Sequence, residues 1–182
     1  MSTASLETAV PAGTWELDAL HSHAGFAVQH MVVSRFRSQF KELTATLTAN
    51  ADGSATLAGV VRVASIDVDD PNLKGHLLSG EFFAADAHPT ITFTSDSLQR
   101  TGEAVVVSGD LTIKGVTHRV EGRGTIAEPT EDFANAIRLG VFVETVVDRT
   151  AFGLDWNAPL PKGGFALANE VKLSLELEFV KA

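Results

Sequence analysis

The chain has 182 residues, of which 45% are hydrophobic and 20% charged, so it is long enough for one well-buried core and short for two ordinary domains. Fourteen Lys and Arg against twenty-three Asp and Glu give a formal charge of −9, which disfavours a nucleic-acid partner because phosphate backbones repel such a surface. The chain has no cysteine, which excludes disulfides, thiolate metal sites and thiol nucleophiles.

The N-terminal residues do not predict a secretory signal. Residues 1–13 contain neither Lys nor Arg and no sustained apolar run, so they lack both features of a secretory signal. We therefore expect a flexible N-terminal segment over 1–13, a single domain over 14–182 and a cytoplasmic location. No apolar run is long enough to cross a bilayer, so no transmembrane segment is predicted.

Apolar residues recur at every second position along most of the chain, which is the period of a strand with one buried face. In the last strand, Val171 through Phe179 alternate with charged and polar residues, which is typical of an antiparallel sheet. In chain order, strands are predicted at residues 15–17, 24–30, 43–49, 57–63, 91–93, 105–113, 118–126, 137–143 and 171–179.

Turn sequences and three interruptions complete the pattern. Turn residues at 51–54, 100–102 and 129–132 predict hairpins, and the alternation breaks at 31–38, 71–79 and 148–169. Within the second break, residues 72–78 predict a short helix that packs Leu73, Leu77 and Leu78. Long antiparallel strands favour closure over open edges, so we predict an all-β fold: a single antiparallel β-barrel of about eight strands with one or two short helices.

Two histidines near the N-terminus stand two positions apart in the sequence. His21 and His23 would project from the same face of a strand, and such a pair can supply two ligands to a metal. A protein zinc site needs at least a third ligand, and none stands at a diagnostic spacing. We interpret the pair as part of a polar outer face and predict no metal.

His30 and Arg149 each leave two interpretations open. His30 falls on the apolar side with Phe26 and Val28, where it is either a hydrogen-bonded core histidine or a single polar handle inside an apolar pocket. Arg149 follows an aspartate after an apolar strand. It either clamps a carboxylate or phosphate, or pairs with a nearby acid to fix a loop.

Motifs for catalysis and nucleotide binding are missing. The glycine-rich stretches 122–124 and 161–164 lack the order and context of nucleotide-binding loops, and no nucleophile elbow occurs. We therefore predict no catalytic residue and no cofactor. The chain has eleven Phe, two Trp and no Tyr, which suits either ordinary core packing or the broad walls of an apolar cavity.

Several blocks in order resemble one family. The chain is similar to the YceI-like, polyisoprenoid-binding proteins from about residue 14 to residue 179. The blocks that carry the resemblance are Trp15-x-Leu17-Asp18-x-x-His21-Ser22-x-x-x-Phe26-x-Val28-x-His30, His76-Leu77-x-Ser79-x-x-Phe82-Phe83, Pro89-x-Ile91-x-Phe93-x-Ser95, Gly109-Asp110-Leu111-Thr112-Ile113-Lys114-Gly115 and Asp148-Arg149-x-x-Phe152-Gly153.

The resemblance implies a lipocalin-like barrel, often dimeric, with an elongated apolar cavity for a long isoprenoid tail or similar lipid. Polar residues near the mouth would meet a quinone, phosphate or amide head group. The ligand-lining residues it implies are Phe26, Val28, His30, Phe36, Phe40, Leu77, Phe82, Phe83, Ile91, Phe93, Leu111, Ile113, Phe142, Phe152 and Trp156.

We thus expect a non-catalytic protein that binds a long-chain isoprenoid, quinone-like or similar amphiphilic lipid for transport, storage or sensing, with a homodimer as its assembly. One alternative is an enzyme that acts on a lipid-like substrate with His21, His23 or His30 and with Asp18 or Arg149. A second alternative is a barrel filled by its own side chains that serves as an interaction module.

Overall fold

Alternating side chains close an antiparallel barrel. The computed structural model describes residues 9–182, and these residues contain eleven strands and one α-helix, α1, at Pro71–Leu78. The strands are β1 Gly13–Leu17, β2 His23–His30, β3 Ser34–Phe40, β4 Leu43–Ala49, β5 Ala55–Arg62, β6 Thr90–Thr101, β7 Ala104–Ile113, β8 Val116–Ile126, β9 Thr130–Glu131, β10 Ile137–Asp148 and β11 Leu167–Lys181.

The barrel closes because β11 pairs on both of its edges. Eight strands form the ring in the order β11-β1-β4-β5-β6-β7-β8-β10, and β10 returns to β11. β11 has 15 residues, so its C-terminal part pairs with β1 and its N-terminal part pairs with β2. β2 and β3 form a hairpin that extends one end of the barrel wall. The predicted lipocalin-like antiparallel barrel of about eight strands with a short helix is confirmed.

Two strands lie where the sequence predicts none. β3 falls largely within the predicted break at 31–38, because only Phe36 and Phe40 mark its inner face and Ser38 stands between them. β9 has two residues inside the predicted turn at 129–132. A strand whose inner face borders a cavity needs fewer apolar residues than one that packs a core, so β3 gives a weak periodic signal.

Residues 10–13, the last part of the predicted flexible segment, contact the barrel. Residues 1–8 of the predicted flexible segment lie outside the described residues, whereas Val10 is buried and Gly13 begins β1. The indole Nε1 of Trp15 donates a hydrogen bond to the carbonyl of Pro11 at 3.0 Å. These contacts place residues 10–13 against the core.

One half of the barrel is packed solid. Trp15, Leu47, Ile126, Leu139 and Phe179 are all essentially inaccessible to solvent and belong to one cluster. Burial of each such side chain stabilises the fold by roughly 1.5–3 kcal/mol. This half therefore closes the barrel interior at one end.

The helix α1 covers part of the other half. Asp70 begins it, with Oδ1 accepting a hydrogen bond from the backbone N–H of Leu73 at 2.7 Å, and Pro71 occupies the first turn. Leu77 is buried, as predicted, and packs in a cluster with Ile66 and Phe82. Leu73 was also expected to be packed, but it is 39% exposed because it lies at the rim of the barrel opening.

Candidate functional site: an apolar cavity in the open half of the barrel

In the part of the chain that the structure describes, two apolar cavities follow one another through the open half of the barrel. The inner cavity has a volume of about 150 Å³ and is lined by strands from the barrel wall, including Ala45, Leu57 and Val143. The outer cavity has a volume of about 280 Å³ and reaches α1 and the loop before β11. The two share the side chains of Phe26, Phe40, Ile91, Ile113 and Leu173. Each is far larger than the space that one water molecule needs.

Aromatic rings form much of the wall. Phe26 lies 6.1 Å from Phe36 and 5.8 Å from Phe40, and Phe40 meets Phe83 edge-on at 5.9 Å, all between ring centroids. These centroid distances fall in the range of favourable tilted and edge-to-face contacts. The rings hold one another in place, so the wall is rigid as well as apolar.

A second aromatic group stands where the helix meets the loop before β11. His76 packs edge-on against Phe82 at 4.9 Å and against Trp156 at 4.8 Å, between ring centroids. Its Nε2 lies 2.7 Å from Oε2 of Glu81. This carboxylate fixes the imidazole, and the imidazole in turn orients the two rings that face the cavity.

The polar groups on the outer cavity include His30 and Arg149. His30 is half-buried, and its imidazole has no hydrogen-bond partner among residues 9–182. It is therefore not a hydrogen-bonded core histidine. Its position on the cavity wall fits the other interpretation, a polar handle inside an apolar pocket.

Arg149 fixes a loop through backbone carbonyls. Its Nε donates to Ala168 O at 2.8 Å, and its Nη1 donates to Leu154 O at 2.5 Å and to Trp156 O at 2.9 Å. Burial lowers the pKa of the guanidinium from its usual value. Nη2 is the one buried side-chain nitrogen or oxygen in the described residues without a partner, and it is sealed from solvent. Arg149 thus acts as a loop clamp, and it binds carbonyls where the sequence suggested an acid.

All but one of the fifteen side chains implied as ligand-lining lie on the cavity walls. Those on the inner or outer cavity are Phe26, Val28, His30, Phe36, Phe40, Leu77, Phe82, Phe83, Ile91, Phe93, Leu111, Ile113, Phe152 and Trp156. Whether they contact a ligand stays a prediction.

Phe142 is the exception, and its expected place on the wall is wrong. It is 37% exposed on the outer face of β10, because Val141 and Val143 occupy the inward positions on either side of it.

Phe82 and Phe83 both reach the outer cavity although they are adjacent in sequence. On an extended strand only one of them could face inward. They lie instead in a turn, where the N–H of Phe82 bonds to Ser79 O at 3.1 Å and that of Phe83 bonds to Leu77 O at 3.0 Å. The turn directs the two rings to the same side.

Several wall residues were not predicted. They include His76, Met31 and Leu73 at the outer cavity and Ala45 at the inner cavity. Ala45 could have been found from the parity of β4. His76 could not, because its position depends on how α1 packs against the loop before β11.

The two histidines of the predicted polar face separate in the structure. His21 lies in a single helical turn at Ala19–His21, whereas His23 begins β2. Nδ1 of His21 lies 3.0 Å from Oδ2 of Asp18, and the hydrogen bond to this carboxylate raises the pKa of His21 above its usual value. Neither histidine lies on the inner or outer cavity.

Asp18, His21 and Glu178 bring three ligand atoms within 4.8 Å of one another, a spacing that could hold a metal ion. Arg138 already occupies the two carboxylates, since its Nη1 lies 2.8 Å from Asp18 and 2.5 Å from Glu178. Hydrogen bonds from Arg138 and then from His21 hold the pKa of Asp18 well below its usual range. The group is an ion-pair cluster on the packed half of the barrel.

Comparison with known proteins identifies the family of this chain. A family profile described as the YceI-like domain matches residues 15–179. The chain belongs to the YceI-like family. A UPF0312 protein of Staphylococcus aureus strain USA300 is 30% identical over 168 residues, which cover 89% of this chain and 94% of that protein. The equivalent protein of strain MW2 is 31% identical over the same coverage.

Solved structures share the fold of this YceI-like chain. Burkholderia cenocepacia BcnA superposes with a TM-score of 0.76 at 22% identity, covering 89% of this chain and 98% of BcnA. The Campylobacter jejuni YceI protein gives a TM-score of 0.70 at 21% identity, covering 85% of this chain and 90% of that one. A polyisoprenoid-binding domain from Saccharophagus degradans, implicated in plant cell wall breakdown, gives 0.67 at 15% identity, covering 92% and 98%.

Within residues 9–182, no helix combines the length and the apolar character that a membrane span needs.

Proposed function

We propose that this protein binds a long-chain isoprenoid or similar amphiphilic lipid in the joined inner and outer cavities and catalyses no reaction on it. The observation that carries the proposal is the hollow half of the barrel, which is walled by apolar and aromatic side chains and closed below by a packed core. The polyisoprenoid-binding domain of Saccharophagus degradans, which has the same fold, supports the same class of ligand.

The energetics suit an apolar tail. Burial of about twelve methylene groups at ~0.8 kcal/mol each gives on the order of 10 kcal/mol before the costs of association and ordering. Micromolar or tighter binding therefore needs no strong polar contact. A smooth apolar wall distinguishes tails poorly, so we expect length and shape of the tail to matter more than its exact chemistry.

The placement of the titratable groups supports binding without catalysis. Asp18, His21 and His23, which the enzyme alternative would use, lie off the cavity. His30 and Arg149 line the outer cavity, but among residues 9–182 neither side chain hydrogen-bonds a carboxylate that would activate it. A general base or nucleophile is normally oriented by such a partner.

The test is mass spectrometry of an organic extract of the natively purified protein, with an extract of an unrelated protein prepared in parallel. We expect one long-chain species in near-stoichiometric amount that is absent from the control. If the extract is empty and a fluorescent lipid probe also fails to bind the delipidated protein, the proposal is wrong.

The rate at which the protein exchanges its lipid distinguishes transport from storage. A carrier should release its lipid to acceptor vesicles within minutes, whereas a storage protein should retain it for hours. The homodimer and the cytoplasmic location stay predictions, the first of which light scattering after size-exclusion chromatography measures directly.

A further inference from the structure

The tip of the β2–β3 hairpin is apolar and projects into solvent. Its residues Met31, Val32 and Val33, here called the apolar tip, are 41%, 63% and 84% exposed. Val32 and Val33 leave most of their apolar surface in water, so these two side chains contribute little to the stability of the fold. Exposed apolar groups of this kind mark interaction sites.

The backbone of the apolar tip has a conformation that its residue types disfavour. Met31 and Val32 have φ angles of 51° and 65°, and the N–H of Val33 bonds to His30 O at 3.2 Å, which closes a tight turn over them. Turns with positive φ at both central positions favour Asn and Gly, and a β-branched residue such as Val32 is strained there. The sequence therefore keeps large apolar side chains at positions where folding alone favours small polar ones.

The apolar tip lies at the mouth of the outer cavity. Met31 lines that cavity and is exposed, as is Leu73 on α1 across the opening. The N–H of Met31 bonds to Ala166 O at 2.7 Å, which brings the neighbouring Phe165, 60% exposed, beside the hairpin. A surface that covers the apolar tip and Phe165 would therefore lie over the opening of the outer cavity.

The surroundings of the apolar tip are basic in an acidic protein. Residues 19–41 and 156–169 contain no Asp or Glu, although the whole chain has twenty-three. Arg35, Arg37 and Lys162 are exposed in these segments, and within residues 9–182 none of the three makes an ion pair. Asp67 and Glu144 share a surface groove with the two arginines, but each already pairs with a lysine, Asp67 with Lys41 and Glu144 with Lys172, so these acids do not pair with the arginines.

We propose that the apolar tip docks on an anionic phospholipid bilayer, so that a lipid passes between the bilayer and the outer cavity without crossing water. The inference rests on the proposed function. Aliphatic side chains suit the acyl region, and the free cations beside them suit the phosphates. A bilayer also explains why the cavity opens within the patch, whereas a second protein copy seated there would close it.

The test is flotation of the protein with vesicles of equal parts phosphatidylcholine and phosphatidylglycerol. The key variant is Val32→Gly with Val33→Ser, which removes the β-branched residue from the positive φ of the turn and leaves Met31, a wall residue of the outer cavity, in place. We expect this variant to unfold at a higher temperature than the wild type and to bind the vesicles at least about tenfold more weakly. Arg35→Ala with Arg37→Ala should weaken binding to these vesicles more than binding to pure phosphatidylcholine.

The matched control is Val146→Asn, which removes a 58% exposed aliphatic side chain from the outer face of β10. It should leave vesicle binding unchanged. The inference is overturned if the wild type does not float, or if the tip variant floats as well as the wild type. It is also overturned if light scattering shows that the tip holds a dimer and vesicles bind neither form.

A fluorescent lipid probe separates this inference from the proposed function. Delivered as monomers, the probe should fill the wild type and the tip variant equally, and transfer from vesicles should be slower for the variant alone. If neither protein takes up the monomeric probe, the proposed function fails even where the tip still binds vesicles. If both take it up and transfer from vesicles is equally fast, docking fails and lipid binding stands.

Discussion

Nη1 of Arg149 donates a hydrogen bond to the carbonyl oxygen of Trp156 at 2.9 Å, which ties the end of β10 to the residue whose indole faces the outer cavity. The same guanidinium bonds Leu154 and Ala168 on either side of that residue. The shape of the cavity wall thus depends on one buried cation, and a substitution there tests both stability and binding.

We expect Arg149→Met to lower the free energy of unfolding by about 2–4 kcal/mol, because three carbonyls lose a charged donor and two of the three lie in a single loop. Urea denaturation measures the change. The control is Arg123→Met, an exposed arginine paired with Glu121, which should cost less than about 0.5 kcal/mol. Equal losses in the two variants would contradict the clamp.

A charge on the inner wall should abolish lipid uptake. Phe93 lines the inner cavity from β6, so Phe93→Asp places a carboxylate where a tail would lie. Burial of that group costs several kcal/mol, and we expect affinity for a fluorescent lipid probe to fall by at least about 100-fold.

Phe142 supplies the matched control for this experiment. It is outward on β10, so Phe142→Asp should leave probe affinity within about twofold. Circular dichroism must show that both variants are folded. Unchanged uptake by a folded Phe93→Asp variant would show that Phe93 does not form part of the binding wall.

The inner cavity should set the length of tail that the protein accepts. Ala45 is buried on its wall, and Ala45→Leu fills part of its volume of about 150 Å³. We expect weaker binding of long tails, little change for short ones, and a protein at least as stable as the wild type because a void is filled. Titration with a series of probes of increasing chain length measures this cutoff.

Ala58→Leu is the control for the cavity-filling variant, since Ala58 is exposed on the neighbouring strand β5 and pairs with Thr46. It should leave the chain-length profile unchanged. A cutoff that does not move in Ala45→Leu would mean that the tail stops in the outer cavity.

The pKa of His21 should lie above 6.5, because its ring is hydrogen-bonded to the carboxylate of Asp18. The hydrogen bond between protonated His21 and Asp18 stabilises the fold. This stabilisation is complete at a pH below the pKa that His21 has in the unfolded chain, and it is lost as the pH rises through the higher pKa that His21 has in the folded chain. NMR titration of the imidazole gives the value directly. Asp18→Asn should return it towards 6.5, whereas Asp96→Asn, which breaks an ion pair to Arg119, should not.

Parity along the strands predicted most of the fold. It located the barrel strands at β4, β7, β8 and β11 within a few residues, because a period of two follows directly from strand geometry. The short helix predicted at residues 72–78 is α1, and the structure begins it one residue earlier, at Pro71. These features depend on residues close together in sequence.

Other features depend on residues that only the closed barrel brings together. The alternation of residues along their strands indicates that Ala45 and Phe93 face inward. Whether opposite walls of the barrel pack together or leave a cavity depends on the number, tilt and stagger of the strands. His76 and Trp156 are far apart in sequence and in contact in space, and so are Met31 and Ala166. The sequence alone therefore determined an apolar-lined barrel, and the tertiary structure decided that one half is solid, the other hollow, and the opening bordered by an apolar tip.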